Sequence, residues 1–349
     1  MNPLIVENTR KILIRILIIT SMMIFFNFIY EKYFQENDIQ EHSSIINLVR
    51  QVQDSSKIIY LGESSNFTSH PGDTNKQSIS QMIADYFPGI SLGTINKGAL
   101  HSQNYLVLLE NLPVNSPVKT IIVTMNLRSF GADWIYSDLE TYLQKSMVLL
   151  KYNPPLFARF ILSFKAYEIK TNKERDKQKR HKWDVEELIF PYPFPYKNVN
   201  KWDKGMFDKG IQKEDGSKDW EQTALACHYI KSYAFQIDTN SNPRIKDFDN
   251  IMKLAKKRGW NVIFNLMAEN MEKARELIGN DLLYLMNSNR DILVDRYTKM
   301  GAIVVDNLYD VPNEEFIDQD WTTEHYAQHG RKIIAKNVAD SLKKIMNDQ

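Results

Sequence analysis

Two short segments, far apart in the chain, carry side chains that together could perform nucleophilic catalysis. Ser64 follows Gly62 and Glu63 at the end of the apolar run "KIIYLG". A serine hydroxyl becomes a nucleophile when a base takes its proton, and His325 in "TTEHYAQHGRK" is the candidate base. The pair predicts acyl transfer through a covalent serine intermediate. The plainer alternative is that Ser64 caps a helix, a position that serine also favours.

Two further residues are candidates for binding the oxyanion that such a reaction forms. Gly98 follows the apolar run "SLGTIN" and offers a backbone amide, whereas Asn126 ends "KTIIVTMN" and offers a side-chain amide. These groups could converge with the amide of Ser64 on one oxygen. The nearby polar residues that could contact a substrate are Arg128, through an anionic group, and His101 and His70.

Five short apolar runs predict the sheet that must position these groups. They are bounded by glycine, asparagine and polar residues, and most are apolar on both faces, as in a buried parallel sheet. Helical patterns alternate with them, which predicts right-handed crossovers and a three-layer α/β/α sandwich. Ligands bind beyond the carboxyl ends of such strands. The five runs are residues 57–62, 91–96, 119–126, 260–267 and 301–307.

The alternation breaks between residues 131 and 242, a stretch too long for one crossover. It contains a charged run at 170–182 and the aromatic run "FPYPFPY". We interpret the stretch as a mainly helical insertion in one domain of residues 35–349.

Residues 1–34 predict a membrane anchor. The segment 12–30 is apolar on all sides of a helix and nearly long enough to span a bilayer, and Arg10 and Lys11 precede it. Basic residues before the span favour a cytoplasmic N-terminus and an exported body. We therefore predict a single-pass protein of the cell membrane, with its main domain extracytoplasmic, either periplasmic or on the outer face. A buried N-terminal helix is the alternative.

The composition indicates what the chain does not bind. Its 349 residues include 44 Lys and Arg against 43 Asp and Glu, a balance that gives no reason to expect a nucleic-acid partner. Cys227, the single cysteine, cannot form an internal disulfide or a cysteine-rich metal site. We find no HExxH or EF-hand pattern, so we expect neither metal nor cofactor.

Over residues 55–345 the chain resembles the SGNH (GDSL-like) hydrolases. The resemblance rests on four separated blocks in the correct order: Gly62-Glu63-Ser64, Gly98, Asn126, and His325 before Gly330 and "RKIIA". It implies a five-stranded parallel sheet of the SGNH-hydrolase, flavodoxin-like type. It also implies that Ser64 is the nucleophile, His325 the base, and Gly98 and Asn126 the oxyanion donors.

The chain departs from the family where the catalytic acid belongs. The family's acid usually lies three residues before the histidine, or two in one branch, and those positions here are Thr322 and Thr323. Asp320 is our first choice for the carboxylate that orients His325. The alternatives are Asp318, Glu324, or a Ser–His pair oriented by a backbone carbonyl.

The resemblance implies a membrane-anchored serine esterase or acyltransferase. We expect it to act on acyl esters, in the first place O-acetyl esters, of cell-envelope polysaccharide or a lipid-linked glycan. Anchored branches of the family, which transfer D-alanyl groups or O-acetylate polysaccharide, have a similar layout. They make a membrane acyltransferase a candidate partner. The second hypothesis is a catalytically inactive protein on the same scaffold that binds glycan or partners in polysaccharide assembly.

Overall fold

The computed structural model describes residues 3–42, 44–52, 56–148, 150, 155–164 and 167–347. They form two compact units, one of residues 1–47 and 141–170 and one of residues 48–140 and 171–349. The predicted anchor and insertion include residues 1–2, 149, 151–154 and 165–166, which lie outside the described residues. The division into an anchor of residues 1–34 and a domain of residues 35–349 stays a prediction.

The larger unit is built on a five-stranded parallel sheet, as predicted. The strands of the chain are β1 (Ile58–Gly62), β2 (Leu92–Asn96), β3 (Thr120–Met125), β4 (Ile211–Gln212), β5 (Lys218–Asp219), β6 (Asn261–Leu266) and β7 (Ile303–Asp306). The main sheet has the order β2-β1-β3-β6-β7 with all pairs parallel, and β4 and β5 form a short antiparallel pair. Each main strand lies inside its predicted apolar run.

This strand order creates the place where a ligand can bind. The chain crosses from β1 to β2 on one side and then returns to β3 on the other side of β1. The loops after β1 and β3 therefore diverge, and a crevice opens beyond the carboxyl ends of these two strands. Ser64 follows β1 and Asn126 follows β3, so the fold places both at this crevice.

Helices occupy both faces of the sheet. The helices are α1 (Pro3–Tyr33), α2 (Gln35–His42), α3 (Ser44–Val52), α4 (Ser64–Phe67), α5 (Ile79–Asp85), α6 (Ser102–Glu110), α7 (Ala132–Ile135), α8 (Leu139–Val148), α9 (Pro155–Ser163), α10 (Asn172–Val185), α11 (Val199–Lys209), α12 (Trp220–Tyr233), α13 (Pro243–Arg258), α14 (Met271–Leu277), α15 (Asn280–Lys299) and α16 (Gln328–Asn347). On one face, α5 and α16 cover alternate strand residues such as Tyr60 and Ile263. On the other, Phe248 of α13 and Tyr297 of α15 contact Phe264.

The predicted insertion is mainly helical in the larger unit. It contains α7, α10, α11 and α12, together with the short β4–β5 pair. The aromatic run "FPYPFPY" folds back on itself, and Phe190 and Phe194 lie 4.2 Å apart between ring centroids. Phe194 also meets Trp202 of α11 at 4.8 Å. Aromatic packing thus gives this proline-rich segment a fixed structure.

The smaller unit contains the long apolar helix α1. Its segment Glu7–Tyr33 has 27 residues, an 18-residue window within it reaches a mean hydropathy of 2.3, and its apolar side chains are largely exposed. At 1.5 Å per residue such a helix is about 40 Å long, which exceeds the roughly 30 Å of a bilayer's hydrocarbon core. By length and composition the helix can serve as a membrane span or as a signal sequence.

A fully buried arginine joins the last helix of the larger unit to the segment after β1. Arg331 in α16 donates to the backbone oxygens of Asn75 (2.7 Å), Tyr326 (2.8 Å) and Gln77 (3.1 Å), and it pairs with Asp73 at 2.9 Å. The guanidinium supplies several donors in one rigid plane, which suits such a set of acceptors. Arg331 therefore ties together the two segments that carry Ser64 and His325.

We predict that Arg331→Met lowers the free energy of unfolding by about 3–5 kcal/mol, because it leaves a buried carboxylate and several carbonyls without their donor. Urea unfolding in mild detergent, followed by tryptophan fluorescence, measures the change. Arg180→Met is the matched control, since Arg180 is 73% exposed and pairs only with Asp176 on the helix surface. Equal stability of the two variants would contradict the assigned role of Arg331.

Candidate active site

Ser64 stands on a tight turn between β1 and the four-residue helix α4. A side chain at Gly62 would approach Tyr60 Cε1 to 2.7 Å, so the turn requires glycine there. Glu63 caps α4, because its Oε2 accepts the amide of Ser65 at 3.1 Å. The capping interpretation of Ser64 is therefore wrong, since Glu63 caps this turn and the hydroxyl of Ser64 is directed elsewhere.

The hydroxyl of Ser64 lies 2.9 Å from Nε2 of His325. The other ring nitrogen, Nδ1, lies 2.7 Å from Oδ2 of Asp318. The same carboxylate oxygen accepts the hydroxyl of Thr323 at 2.5 Å. A serine, an imidazole and a carboxylate thus form one continuous chain of contacts, the arrangement that activates a serine nucleophile.

Asp320, our first choice from the sequence, is not the residue on the imidazole. Its side chain is exposed, whereas Asp318 takes the position beside Nδ1. Glu324 is also excluded from that position, because it is buried and both its oxygens face Arg128. Of the alternatives that the sequence left open, the structure places Asp318 against His325.

A small hairpin-like pairing explains why Asp318 reaches His325 from seven residues away. Phe316 and Tyr326 form an antiparallel bridge, and the amide of Ile317 donates to the carbonyl of His325 at 2.9 Å. The bridge folds the segment back on itself, so that Asp318 lies beside His325. Asp320 falls nearer the tip of the same loop and is directed into solvent.

The candidate oxyanion donors lie on either side of Ser64. Because β1 lies between β2 and β3, the loop that carries Gly98 and the turn that carries Asn126 lie on either side of the loop that carries Ser64. Gly98 is exposed, and a side chain added at its Cα would meet no atom within 4 Å. Oδ1 of Asn126 is buried without a hydrogen-bond partner among the described residues; this oxygen is an acceptor, so Nδ2 is the atom of this side chain that can donate to an oxyanion. This placement suits groups that bind an oxyanion at Ser64.

The sequence suggested that Arg128 binds an anionic group of the substrate. In the structure its side chain is not available for that role. Its Nε donates to Glu324 at 2.6 Å, its Nη2 pairs with the other oxygen of that carboxylate, and its guanidinium lies over the ring of Trp134. Burial opposes the charge of Arg128, but Glu324 outweighs burial, and the net effect raises the pKa of the guanidinium. Arg128 is therefore committed to holding the segment that contains His325.

A second buried carboxyl lies close to this pair. Burial and the charge of Glu324 raise the pKa of Glu269 well above its usual range, although Arg128 opposes them. Tyr233 donates its hydroxyl to Glu269 at 2.5 Å. Burial and the nearby carboxylate of Glu324 therefore favour the protonated form of Glu269.

The structure places neither of the two candidate histidines against Ser64. His101 is buried between Glu140, at 2.7 Å, and Arg244, at 2.6 Å. Burial, followed by the charge of Arg244, lowers the pKa of His101 to about 4 against the effect of Glu140. His70 is exposed, and its Nδ1 accepts the amide of Gly72 at 3.1 Å within a turn. Both are structural residues in this arrangement.

A small cavity of about 20 Å³ lies beside the site. That volume suits about one water molecule. Twelve residues line it: Glu63, Ala99, Leu100, His101, Ser102, Tyr105, Thr124, Asn126, Arg128, Ser129, Trp134 and Phe248. Among the described residues, no group of three or more His, Cys, Asp or Glu side chains is placed to hold a metal ion.

The sequence interpretation missed three contacts that shape this site. In the first, Oε2 of Glu63 lies 2.8 Å from Oγ of Ser64, although the sequence gave no role to the Glu63 side chain. Thr323 contacts Asp318, and the pairing of Arg128 with Glu324 spans 196 positions of sequence. Only the adjacency of Glu63 to Ser64 was a signal that the sequence could have provided.

The chain was also compared with known proteins. No family model and no curated protein matches it. Solved structures that it resembles include a lipase/acylhydrolase from Enterococcus faecalis (10% identity, 83% of this chain and 96% of that chain, TM-score 0.35), a GDSL-like lipase from Bacteroides thetaiotaomicron (10%, 90% and 98%, 0.34) and an extracellular lipase from Streptomyces rimosus (11%, 82% and 99%, 0.38). Similarity at this level is too low to support an argument, so the function is argued from the site's geometry.

We predict that Asp318→Asn lowers the rate at which Ser64 reacts with a fluorophosphonate by about 10³–10⁴-fold, because an amide no longer holds His325 in the required tautomer. Gel-based labelling at neutral pH measures the rate. Asp320→Asn is the matched control and should react like the parent, since this carboxylate is exposed on the same loop. A large loss in Asp320→Asn with none in Asp318→Asn would restore the sequence-based choice.

Proposed function

We propose that the chain is a serine esterase or acyltransferase that acts on acyl esters. The observation that carries the proposal is the contact chain from Ser64 Oγ to His325 (2.9 Å) and from His325 to Asp318 (2.7 Å). Those distances are within the range that proton transfer requires. The crevice between the loops after β1 and β3 leaves room on the open side of Ser64 for a substrate.

The proposed reaction begins when Ser64 Oγ attacks the ester carbonyl carbon and its proton passes to Nε2 of His325. Asp318 accepts the hydrogen bond that Nδ1–H donates and stabilises the imidazolium that forms. The backbone amides of Ser64 and Gly98 and the side-chain amide of Asn126 bind the oxyanion; a single such donor is worth roughly 10²–10³ in kcat. His325 then gives its proton to the departing alkoxide, which leaves an acyl-serine.

The second half of the reaction reverses these steps with a new alcohol or with water. The acceptor gives its proton to His325 and attacks the acyl carbon, and Ser64 leaves with the proton that His325 returns. Water as acceptor gives an esterase, whereas a sugar hydroxyl gives a transferase. The same residues serve both outcomes, so the acceptor that binds in the crevice decides between them.

The small cavity beside Glu63 and Asn126 favours a short acyl group. The cavity has about 20 Å³ of accessible space, so a small acyl group fits it more readily than a long chain does. We therefore propose that O-acetyl esters are the substrates.

The helix α1 supports a location at a membrane. We propose that residues 12–30 anchor the chain, with the N-terminus in the cytoplasm and the larger unit outside. An enzyme held at that surface meets cell-envelope polysaccharide or a lipid-linked glycan, and a membrane acyltransferase that delivers acyl groups would be its partner. The inactive-scaffold alternative rested on Thr322 and Thr323 at the usual acid positions, and the placement of Asp318 removes that support.

We predict that Ser64→Ala lowers the hydrolysis of an aryl acetate by at least about 10³-fold, because the acyl-enzyme cannot form. Release of the phenol measures the rate. Ser65→Ala is the matched control, since the hydroxyl of Ser65 is buried without a partner among the described residues and its loss should leave the rate near that of the parent. Parental activity in Ser64→Ala would remove the basis of the proposal.

A separate prediction concerns topology. Protease added to intact spheroplasts should digest the larger unit, because basic residues before the span hold the N-terminus inside. An antibody against the C-terminal helix detects the loss, and a cytoplasmic protein in the same sample serves as control. Protection of the C-terminal helix would show that the proposed orientation is reversed.

A further inference from the structure

The helix α9 of the smaller unit carries a stripe of phenylalanines that the proposed reaction does not use. Phe157, Phe160 and Phe164 are 40%, 41% and 67% exposed, and Phe160 and Phe164 meet at 4.9 Å between ring centroids. Their spacing of three and four residues places them on one face, along α9 and the turn that follows it. Three large apolar side chains on one exposed face mark an interaction site.

The N-terminus of α9 is fixed to the predicted membrane span. Oδ1 of Asn27 in α1 accepts the amide of Leu156 at 3.0 Å. Leu156 is the second residue of α9, where amides have no partner within the helix, so Asn27 caps α9 from a different helix. Asn27 is 9% exposed and interrupts the apolar run "MMIFFNFIY". Since an unpaired amide is costly away from water, this contact holds α9 against α1.

The position of Asn27 gives the depth at which α9 begins. Asn27 lies three residues before Tyr30, the last residue of the segment 12–30, which is about 5 Å along a helix. With 9 residues, α9 is about 14 Å long and cannot cross the roughly 30 Å of a bilayer's hydrocarbon core. Helices that lie on a bilayer bury their apolar face about 5–10 Å into the boundary between headgroups and acyl chains. The start of α9 therefore matches the depth of a surface helix.

The charge of this segment suits a bilayer that contains anionic lipids. Residues 141–170 include five Lys and Arg against one Glu, whereas the whole chain is nearly balanced. Such an excess attracts a basic segment to anionic headgroups. Within one turn of Asn27, the α1 side chains of Ile24 and Phe28 are 68% and 63% exposed, so lipid that covers this turn of the span also lies beside α9.

We propose that α9 is a surface helix of the membrane: Phe157, Phe160 and Phe164 insert among the acyl chains of anionic phospholipids, and the net positive charge of residues 141–170 attracts the headgroups. The inference rests on the proposed anchoring by residues 12–30 and is independent of the chemistry at Ser64. The smaller unit then meets the bilayer twice, through a span and through a helix that lies on its surface.

The test attaches a fluorescent NBD group to single cysteines in the full-length protein. Cys227→Ala removes the native thiol, which is buried, and serves as the background. Each variant is reconstituted in vesicles of equimolar phosphatidylcholine and phosphatidylglycerol that carry a nitroxide spin label either near the top of the acyl chain or near its methyl end. In Phe160→Cys the emission should fall by about half with the upper label and by less with the lower one, because the face lies about 5–10 Å deep.

Val114→Cys is the matched control. Val114 is 82% exposed in a polar loop of the larger unit, so neither spin label should change its emission. Thermal unfolding against Cys227→Ala shows whether each variant is folded, and Phe164→Cys replaces Phe160→Cys if the latter is not. If both phenylalanine variants respond like Val114→Cys, the inference is overturned. A blue-shifted emission without quenching also overturns it, because a second copy or another protein then covers the face.

Ile19→Cys separates this inference from the proposed anchoring. Ile19 lies near the middle of the segment 12–30 and is 53% exposed, so the lower spin label should quench it more than the upper one does. If Ile19→Cys responds in this way while the α9 variants do not, the surface helix is wrong and the anchor stands. If Ile19→Cys responds to neither label, the anchoring fails, and the surface helix fails with it. The hydrolysis of aryl acetate by Ser64→Ala tests the catalytic proposal separately.

Discussion

The buried pairing of Arg128 with Glu324 is the interaction on which the site depends. Arg128 lies two residues after Asn126, and Glu324 immediately precedes His325. The bidentate ion pair between Arg128 and Glu324 therefore sets the distance between the segments of Asn126 and His325. Two charges without water are costly to bury unless each finds a well-aligned partner. The bidentate contact provides that alignment, and it fixes the loop of His325 against the sheet more tightly than apolar contacts alone would.

The need to give each buried charge a partner also explains why polar side chains cluster at the carboxyl ends of the strands. Glu269 follows β6 and accepts the hydroxyl of Tyr233, and burial together with the charge of Glu324 raises its pKa well above the usual range. The strand order then brings this edge together, because the loops after β1 and β3 diverge while those after β3 and β6 stay adjacent. Ser64 therefore lies at the crevice beside β1. Arg128 and Glu269 lie on the adjacent loops after β3 and β6.

The sequence predicted the five strands, the turn that carries Ser64 and the contact of Ser64 with His325, because each depends on local apolar pattern or on the end of a strand. It gave Asp318 only as an alternative to Asp320 for the carboxylate beside His325, and the structure places Asp318 there. That choice depends on the bridge between Phe316 and Tyr326, which brings two non-adjacent residues side by side and leaves no periodic trace in the sequence. Long-range ion pairs such as that of Glu324 are hidden for the same reason: either partner alone resembles an ordinary surface charge.

The contacts of Arg331 have a consequence for when the site can exist. The guanidinium joins α16 to Asp73 across 258 positions of sequence, so the nucleophile's segment is synthesised long before the arginine that fixes it to the histidine's loop. Contacts of such separation form late, because the intervening chain must first be ordered. A growing chain therefore carries Ser64 without its base, and the two become one reactive unit only when the C-terminal helix docks.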